Sequence, residues 1–347
     1  MKTSALVPAL VLLAAGCAGG PSPASLPLAG ALPEALSPHP VGARAKDIFF
    51  SGYLNDPALN NPGMLGVYPA TTNGNVAPPR VISGSKTAFG TPETAIIDTI
   101  GQIWTCSFGT GEIVAFAPNA KGNVAPVVTI TGSKVDLNGC GGMALAANES
   151  IYASSFDSLT NPPSVNVYPA SADNNTAPTA QYIGSSTKLW DPSGLAFDSS
   201  GKLYVGVQSP PGVAVFGNTA GNVAPLALIQ GSKTKMQVAY AVAIDPTTQN
   251  VLVADEYSNA IFVFKAGANG NVAPIATISG ANTKLNNPYG VAVDNAGYIY
   301  VGNCPQKAPE VGSITVYKPG SKGNVAPVQL IAGTNVKLTC VGGLTVK

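Results

Sequence analysis

The chain has 347 residues, of which 45% are hydrophobic and only 10% charged, and its formal net charge is +1. No basic run occurs anywhere, which excludes non-specific nucleic-acid binding, since that needs clustered cations to neutralise phosphates. Gly (39) and Pro (30) are abundant, a balance that suits many short strands joined by turns rather than helices.

Residues 1–16 read as an export leader. Lys2 is its charged start, and Ala5 to Ala15 is an apolar run too short to span a bilayer. The run ends in Leu13-Ala14-Ala15-Gly16-Cys17, which resembles the bacterial lipobox. The resemblance implies that Cys17 is lipidated, so that the chain's first partner is a membrane and its place is the cell envelope, facing periplasm or exterior. Residues 17–45, rich in Pro, Ala, Gly and Ser, then read as a tether. The only histidine, His39, lies in that tether.

Residues 46–347 alternate strands and turns. Asp47-Ile48-Phe49-Phe50 is the first strand, followed by Gly66-Val67-Tyr68 and Arg80-Val81-Ile82. A phrase Gly-Asn-Val-Ala-Pro starts at Gly74, Gly122, Gly221, Gly270 and Gly323, with a degenerate copy at Asn174; the steps are 48, 52, 47, 49 and 53 residues. A period near fifty with strand-like sequence between copies predicts a radial array of four-stranded antiparallel blades, an all-β propeller. One unit shows the order: Gly194 to Asp198 (strand a, innermost), Lys202 to Val207 (b), Val213 to Phe216 (c), the phrase, and Leu226 to Ile229 (d). The first folded segment looks like a strand b, and the chain finishes with Gly342-Gly343-Leu344-Thr345-Val346, which looks like a strand a. The C-terminal strand is therefore expected to complete the N-terminal blade, giving six blades. Five or seven blades leave strands unpaired.

The phrase falls between strands c and d, where Gly-Asn supplies turn freedom and Pro blunts the outer edge. Asp98, Asp198, Asp245 and Asp294 end their strands a and read as caps of the a–b turns. Beyond Cys17 there are four cysteines, which allow three pairings. Cys106 and Cys304 lie at the ends of strands b, and Cys140 and Cys340 precede the next strands a, on the same side of the ring. That placement predicts Cys106–Cys140 and Cys304–Cys340, each worth about 3–4 kcal/mol in the loop-entropy model. A four-cysteine metal site is the competing reading, and no close C-x-x-C pair supports it.

Units such as Pro288-Tyr289-Gly290-Val291-Ala292-Val293-Asp294 with Tyr298-Ile299-Tyr300-Val301, and Val253-Ala254-Asp255-Glu256-Tyr257-Ser258-Asn259, resemble NHL-type propeller repeats over roughly residues 47 to 347. The chain is also similar to six-bladed gluconolactonase-like propellers, and that similarity implies a Ca²⁺-dependent lactonase or esterase using oxygen ligands at the axis, here Glu93, Asp157, Asp255 and Asn303, with Asp191 and Asn287 as further donors. Those residues do not reproduce the family's metal motif in order or context. The favoured expectation is a non-enzymatic module without a cofactor, a monomer, with Phe89, Trp190, Tyr240, Tyr257 and Tyr289 around a funnel for a peptide, glycan or protein. The folded region holds no histidine for a Ser-His-Asp or Cys-His arrangement.

Overall fold

Among the described residues, runs of β-branched and aromatic residues bounded by Gly, Asp and Asn turns form twenty-four strands in a computed structural model. The structure describes residues 42–54, 62–156, 162–307 and 310–347. The leader, Cys17, His39 and Asp157 lie outside the described residues.

Blade 1 holds β1 (Asp47–Leu54), β2 (Gly63–Pro69) and β3 (Arg80–Ile82). Blade 2 is β4 (Ile96–Ile97), β5 (Ile103–Cys106), β6 (Ile113–Phe116) and β7 (Val128–Ile130). Blade 3 is β8 (Cys140–Leu145), β9 (Ile151–Ser155), β10 (Ser164–Tyr168) and β11 (Ala180–Ile183). Blade 4 is β12 (Pro192–Phe197), β13 (Leu203–Gln208), β14 (Pro211–Phe216) and β15 (Ala227–Gln230). Blade 5 is β16 (Ala239–Ile244), β17 (Val251–Asp255), β18 (Ala260–Phe264) and β19 (Ala276–Ser279). Blade 6 is β20 (Pro288–Val293), β21 (Ile299–Asn303), β22 (Ser313–Tyr317) and β23 (Gln329–Ile331). The last strand, β24 (Leu338–Val346), pairs with β1, so blade 1 reads β24-β1-β2-β3. The six four-stranded antiparallel sheets and the shared first blade are those the chain ends predicted.

Apolar side chains of strands in neighbouring blades meet as wedges. Ile48, Phe50, Met64 and Tyr68 of blade 1 pack on Tyr300, Ile314 and Val316 of blade 6. Equivalent clusters fill each of the other five seams. The core is thus between blades rather than at the axis. Both predicted disulfides lie in these seams, Cys106–Cys140 with Cα atoms 5.9 Å apart and Cys304–Cys340 with Cα atoms 4.1 Å apart.

The repeated phrase does more than turn the chain. Its Gly forms a parallel bridge with strand d of the preceding blade, as in Ile229↔Gly270. Its Asn then reaches across the seam. Asn123, Asn175, Asn222, Asn271, Asn324 and Asn75 each accept, through Oδ1, the backbone N–H of Lys86, Lys134, Ser186, Lys233, Asn282 and Asn335, at 2.7–2.8 Å. The contact closes round the ring, because Asn75 of blade 1 holds the loop after blade 6. Each Asn covers a Gly of that loop. At Gly231 (φ 123°) an added Cβ would lie 2.6 Å from Asn271 Cγ. Asn271→Ala leaves one N–H without its partner and is expected to cost about 1–2 kcal/mol, whereas Gly231→Ala adds left-handed strain and a clash and is expected to cost more. Urea unfolding of the two variants measures the order. Equal stability of Asn271→Ala and the parent would mean that the contact holds nothing.

The a–b turns cap as predicted. Asp198 Oδ1 accepts the N–H groups of Ser200 and Lys202, both at 2.9 Å, and Asp294 Oδ1 accepts those of Ala296 and Tyr298. This lower face also receives the start of the domain. Arg44 stacks over the Tyr298 ring 4.1 Å from its centre and hydrogen-bonds Gln329, and Ala45 N donates to Asp294 Oδ2 at 3.2 Å.

Candidate functional site at the axial mouth

Every strand a carries a register shift near its upper end. In blade 5 the pairing steps from Ala239↔Asp255 to Ala241↔Ala254, and in blade 6 from Pro288↔Asn303 to Gly290↔Gly302. Blades 3 and 4 shift in the same place. A bulge re-aims the extra residue. The residues at this step are Glu93, Gly141, Ser193, Tyr240, Tyr289 and Gly342, one per blade around the channel mouth.

Three of the six are large, and they fill the opening. Tyr240 Oη donates to Glu93 Oε2 at 3.0 Å, joining blades 2 and 5 across the axis. Tyr53 Oη, from the end of β1, donates to Glu93 Oε1 at 3.3 Å. Tyr289 lies against Tyr240 with ring centres 3.6 Å apart and planes tilted by 33°. Glu93 is buried here, and burial raises its pKa to about 7 against the opposing pull of the two hydroxyl bonds. Tyr240 is raised well above its usual value, first by burial and then by the Glu93 charge. Burial likewise raises Tyr53 and Tyr289.

Beneath this plug a cavity of about 330 Å³ runs down the axis, walled by the strands a. Gly142, Gly194, Gly290 and Gly343 line its upper part. They are small because the blades meet there: a Cβ on Gly290 would lie 2.4 Å from Gly342 O. The plug and the close-set backbones leave the mouth, rather than the bore, as the face open to a large ligand.

The structure brings together only some of the predicted site residues. Glu93, Tyr240 and Tyr289 share the plug. Trp190 (49% exposed) and Tyr257 (64% exposed) stand on the upper loops. Phe89 instead packs on Phe116 edge-to-face at 5.6 Å in the seam between blades 1 and 2. It follows a left-handed residue, Ala88, and occupies the seam-filling place that Leu189 and Met236 hold after Lys188 and Lys235. Asp255 and Asn303 end their strands b and turn their oxygens to the adjoining d–a loop. Asp255 Oδ2 accepts Gln237 N (2.7 Å) and Val238 N (3.0 Å), and Asn303 Oδ1 accepts Asn286 N (3.0 Å). Ser155 does the same for Asn138 N at 2.9 Å. Among the described residues no three His, Cys, Asp or Glu side chains are grouped to hold a metal.

Sequence reasoning missed Tyr53, Glu256, Gln306 and the exposed Phe108, which meets Phe156 edge-to-face at 5.1 Å. Their shared signal was position, since all lie at the ends of strands b or in b–c loops. Glu256 is 7% exposed, and its Oε1 accepts bonds from Gln306 Nε2 (3.2 Å) and Asn287 Nδ2 (3.5 Å).

No family model matches the chain, and no curated protein matches it. Solved structures do. A protein of unknown function from Bacteroides caccae aligns over 87% of this chain and 98% of its own, with a TM-score of 0.60 and 8% identity. A chain of the nidogen/laminin complex aligns over 86% and 98%, with a TM-score of 0.58 and 12% identity. A protein from Lactobacillus plantarum aligns over 83% of both chains, with a TM-score of 0.52 and 16% identity. The chain shares their propeller fold. At these identities the likeness is one of fold alone.

Proposed function

We propose that this chain is an exported, lipid-anchored propeller with NHL-type repeats, acting as a non-enzymatic binding module that takes its ligand at the upper face. One observation carries the reading: the upper loops expose the large rings of Trp190 and Tyr257, while the carboxylate at the axis already has both oxygens engaged by tyrosine hydroxyls. Exposed aromatic surface on loops held by a rigid ring suits recognition of a peptide or glycan face.

The two tryptophans make this measurable. Trp104 is buried, with its Nε1 bonded to Asp98 Oδ2 at 3.0 Å, whereas Trp190 is half exposed. A ligand at the upper face is expected to change Trp190 emission saturably, and Trp190→Phe to remove the change. Chito-oligosaccharides and proline-rich peptides are the first probes. If no probe alters emission or retards the protein on a matching affinity column, the upper-face reading fails.

The anchor rests on the lipobox-like Leu13-Ala14-Ala15-Gly16-Cys17. Cys17→Ala is expected to move the chain from the membrane fraction to the soluble fraction and to abolish palmitate labelling. Unchanged partition would remove the anchor from the model.

A further inference from the structure

Two buried carboxylates face one side of the mouth without a cation. Glu93 meets only tyrosine hydroxyls. Glu256, from the b–c loop of blade 5, meets two side-chain amides through Oε1, and its Oε2 accepts no bond among the described residues. Among the described residues no Lys or Arg hydrogen-bonds either carboxylate: the partners of Glu93 are Tyr240 and Tyr53, and those of Glu256 are Asn287 and Gln306.

Tyrosine rings frame the same place. Tyr289 is half-buried and feels the charges of both Glu93 and Glu256, as well as Tyr257 beside it. Tyr257 follows Glu256 in the loop and leaves 64% of its surface free. Asn287 N is fixed by Asn259 Oδ1 at 2.6 Å, so the two loops that carry these groups are tied to each other. A buried carboxylate with one oxygen unbonded among the described residues, a second carboxylate and two tyrosine rings form a frame for a positive charge with an apolar coat. Ring faces attract such a charge by their quadrupole, most strongly where water is excluded. A compact inorganic ion would gain little from the rings, and an anion or neutral group would leave the carboxylates unanswered.

Building on the binding-module reading, we propose that the mouth between blades 5 and 6 is a recognition site for an organic cation, an alkylammonium or trimethylammonium group borne by the ligand, held by Glu256, Glu93, Tyr257 and Tyr289. The test is calorimetric titration of the full chain with choline and with n-butylammonium, alongside 3,3-dimethylbutan-1-ol, the uncharged counterpart of choline. Saturable binding of the cations and none of the neutral alcohol is expected. Glu256→Gln, which keeps an oxygen for Gln306 and Asn287, and Tyr257→Ala, which removes an exposed ring, are each expected to weaken binding about tenfold while the unliganded variants keep a cooperative thermal transition. Equal binding of the neutral alcohol, or cation binding indifferent to both substitutions, would overturn the site. So would a midpoint raised by Ca²⁺ but not by choline, which would give the carboxylates to a metal. A Trp190 response to glycans or peptides with no response to either cation would also overturn it while leaving the binding module standing. Silence of both probes would remove both readings.

Discussion

Ending the chain at Lys337 is expected to abolish cooperative folding. The deletion removes β24, the inner strand of blade 1. Leu338, Val341 and Leu344 are buried, and each contributes about 2 kcal/mol on burial. The ladder to β1, from Ile48↔Val346 to Leu54↔Leu338, goes with them. So do the Cys304–Cys340 bond and the bond from Gly343 N to Glu93 O at 2.8 Å, which ties blade 1 to blade 2. Together these are comparable to the roughly 5–15 kcal/mol by which domains are stable, and the open ring presents a bare strand edge at its axis. Calorimetry of the truncated chain should show no cooperative transition, and a peptide of residues 338–347 added in excess should restore one. A cooperative transition within a few degrees of the parent, without the peptide, would show that the other blades hold the ring unaided.

Glu93→Gln is expected to change how stability depends on pH. Glu93 binds its proton more tightly when folded (pKa about 7) than an ordinary glutamate does at 4.5. Between those values the folded state holds more protons than the unfolded state, so stability falls as pH rises. The contribution is fully present below about pH 4.5 and is lost as pH climbs through 7, a change of about 3 kcal/mol. Glutamine keeps the shape and stays neutral. The variant should therefore match the parent in acid and exceed it above pH 8. Glu256 is raised in the same direction by burial, but it is common to both proteins and cancels in their difference. Denaturation midpoints from pH 4 to 9 give that difference, and parallel profiles would show that the axial carboxylate carries no such penalty.

The blade count was legible because each chain end declares a strand type: Asp47 begins a b, and Gly342 to Val346 ends an a. The disulfides followed from the same register. The clasp made by the repeated phrase was half legible. Gly-Asn marked a turn, but the partner of each Asn is a loop one blade back, and only the matching period of Gly84, Gly132, Gly184, Gly231, Gly280 and Gly333 hinted at it. Phe89 misled because an aromatic beside a strand start looks like a funnel lining. Its equivalents, among them Leu189 and Met236, mark it as seam filling. Glu93 stood out as a charged residue at the start of a strand a. Its partners did not, because Tyr53 and Tyr240 lie 40 and 147 residues away and reach it through a bulge that no pattern of alternation reveals.

The position of β1 has a mechanical meaning. A pull applied at Asp47 would load the domain along its strands. That force enters through β1, which is no edge strand: it lies between β2, from Asp47↔Pro69 to Tyr53↔Gly63, and β24. A pull on the start of β1 must therefore shear two ladders at once rather than peel one open bond by bond, and the first and last strands, joined in a single blade, carry it together.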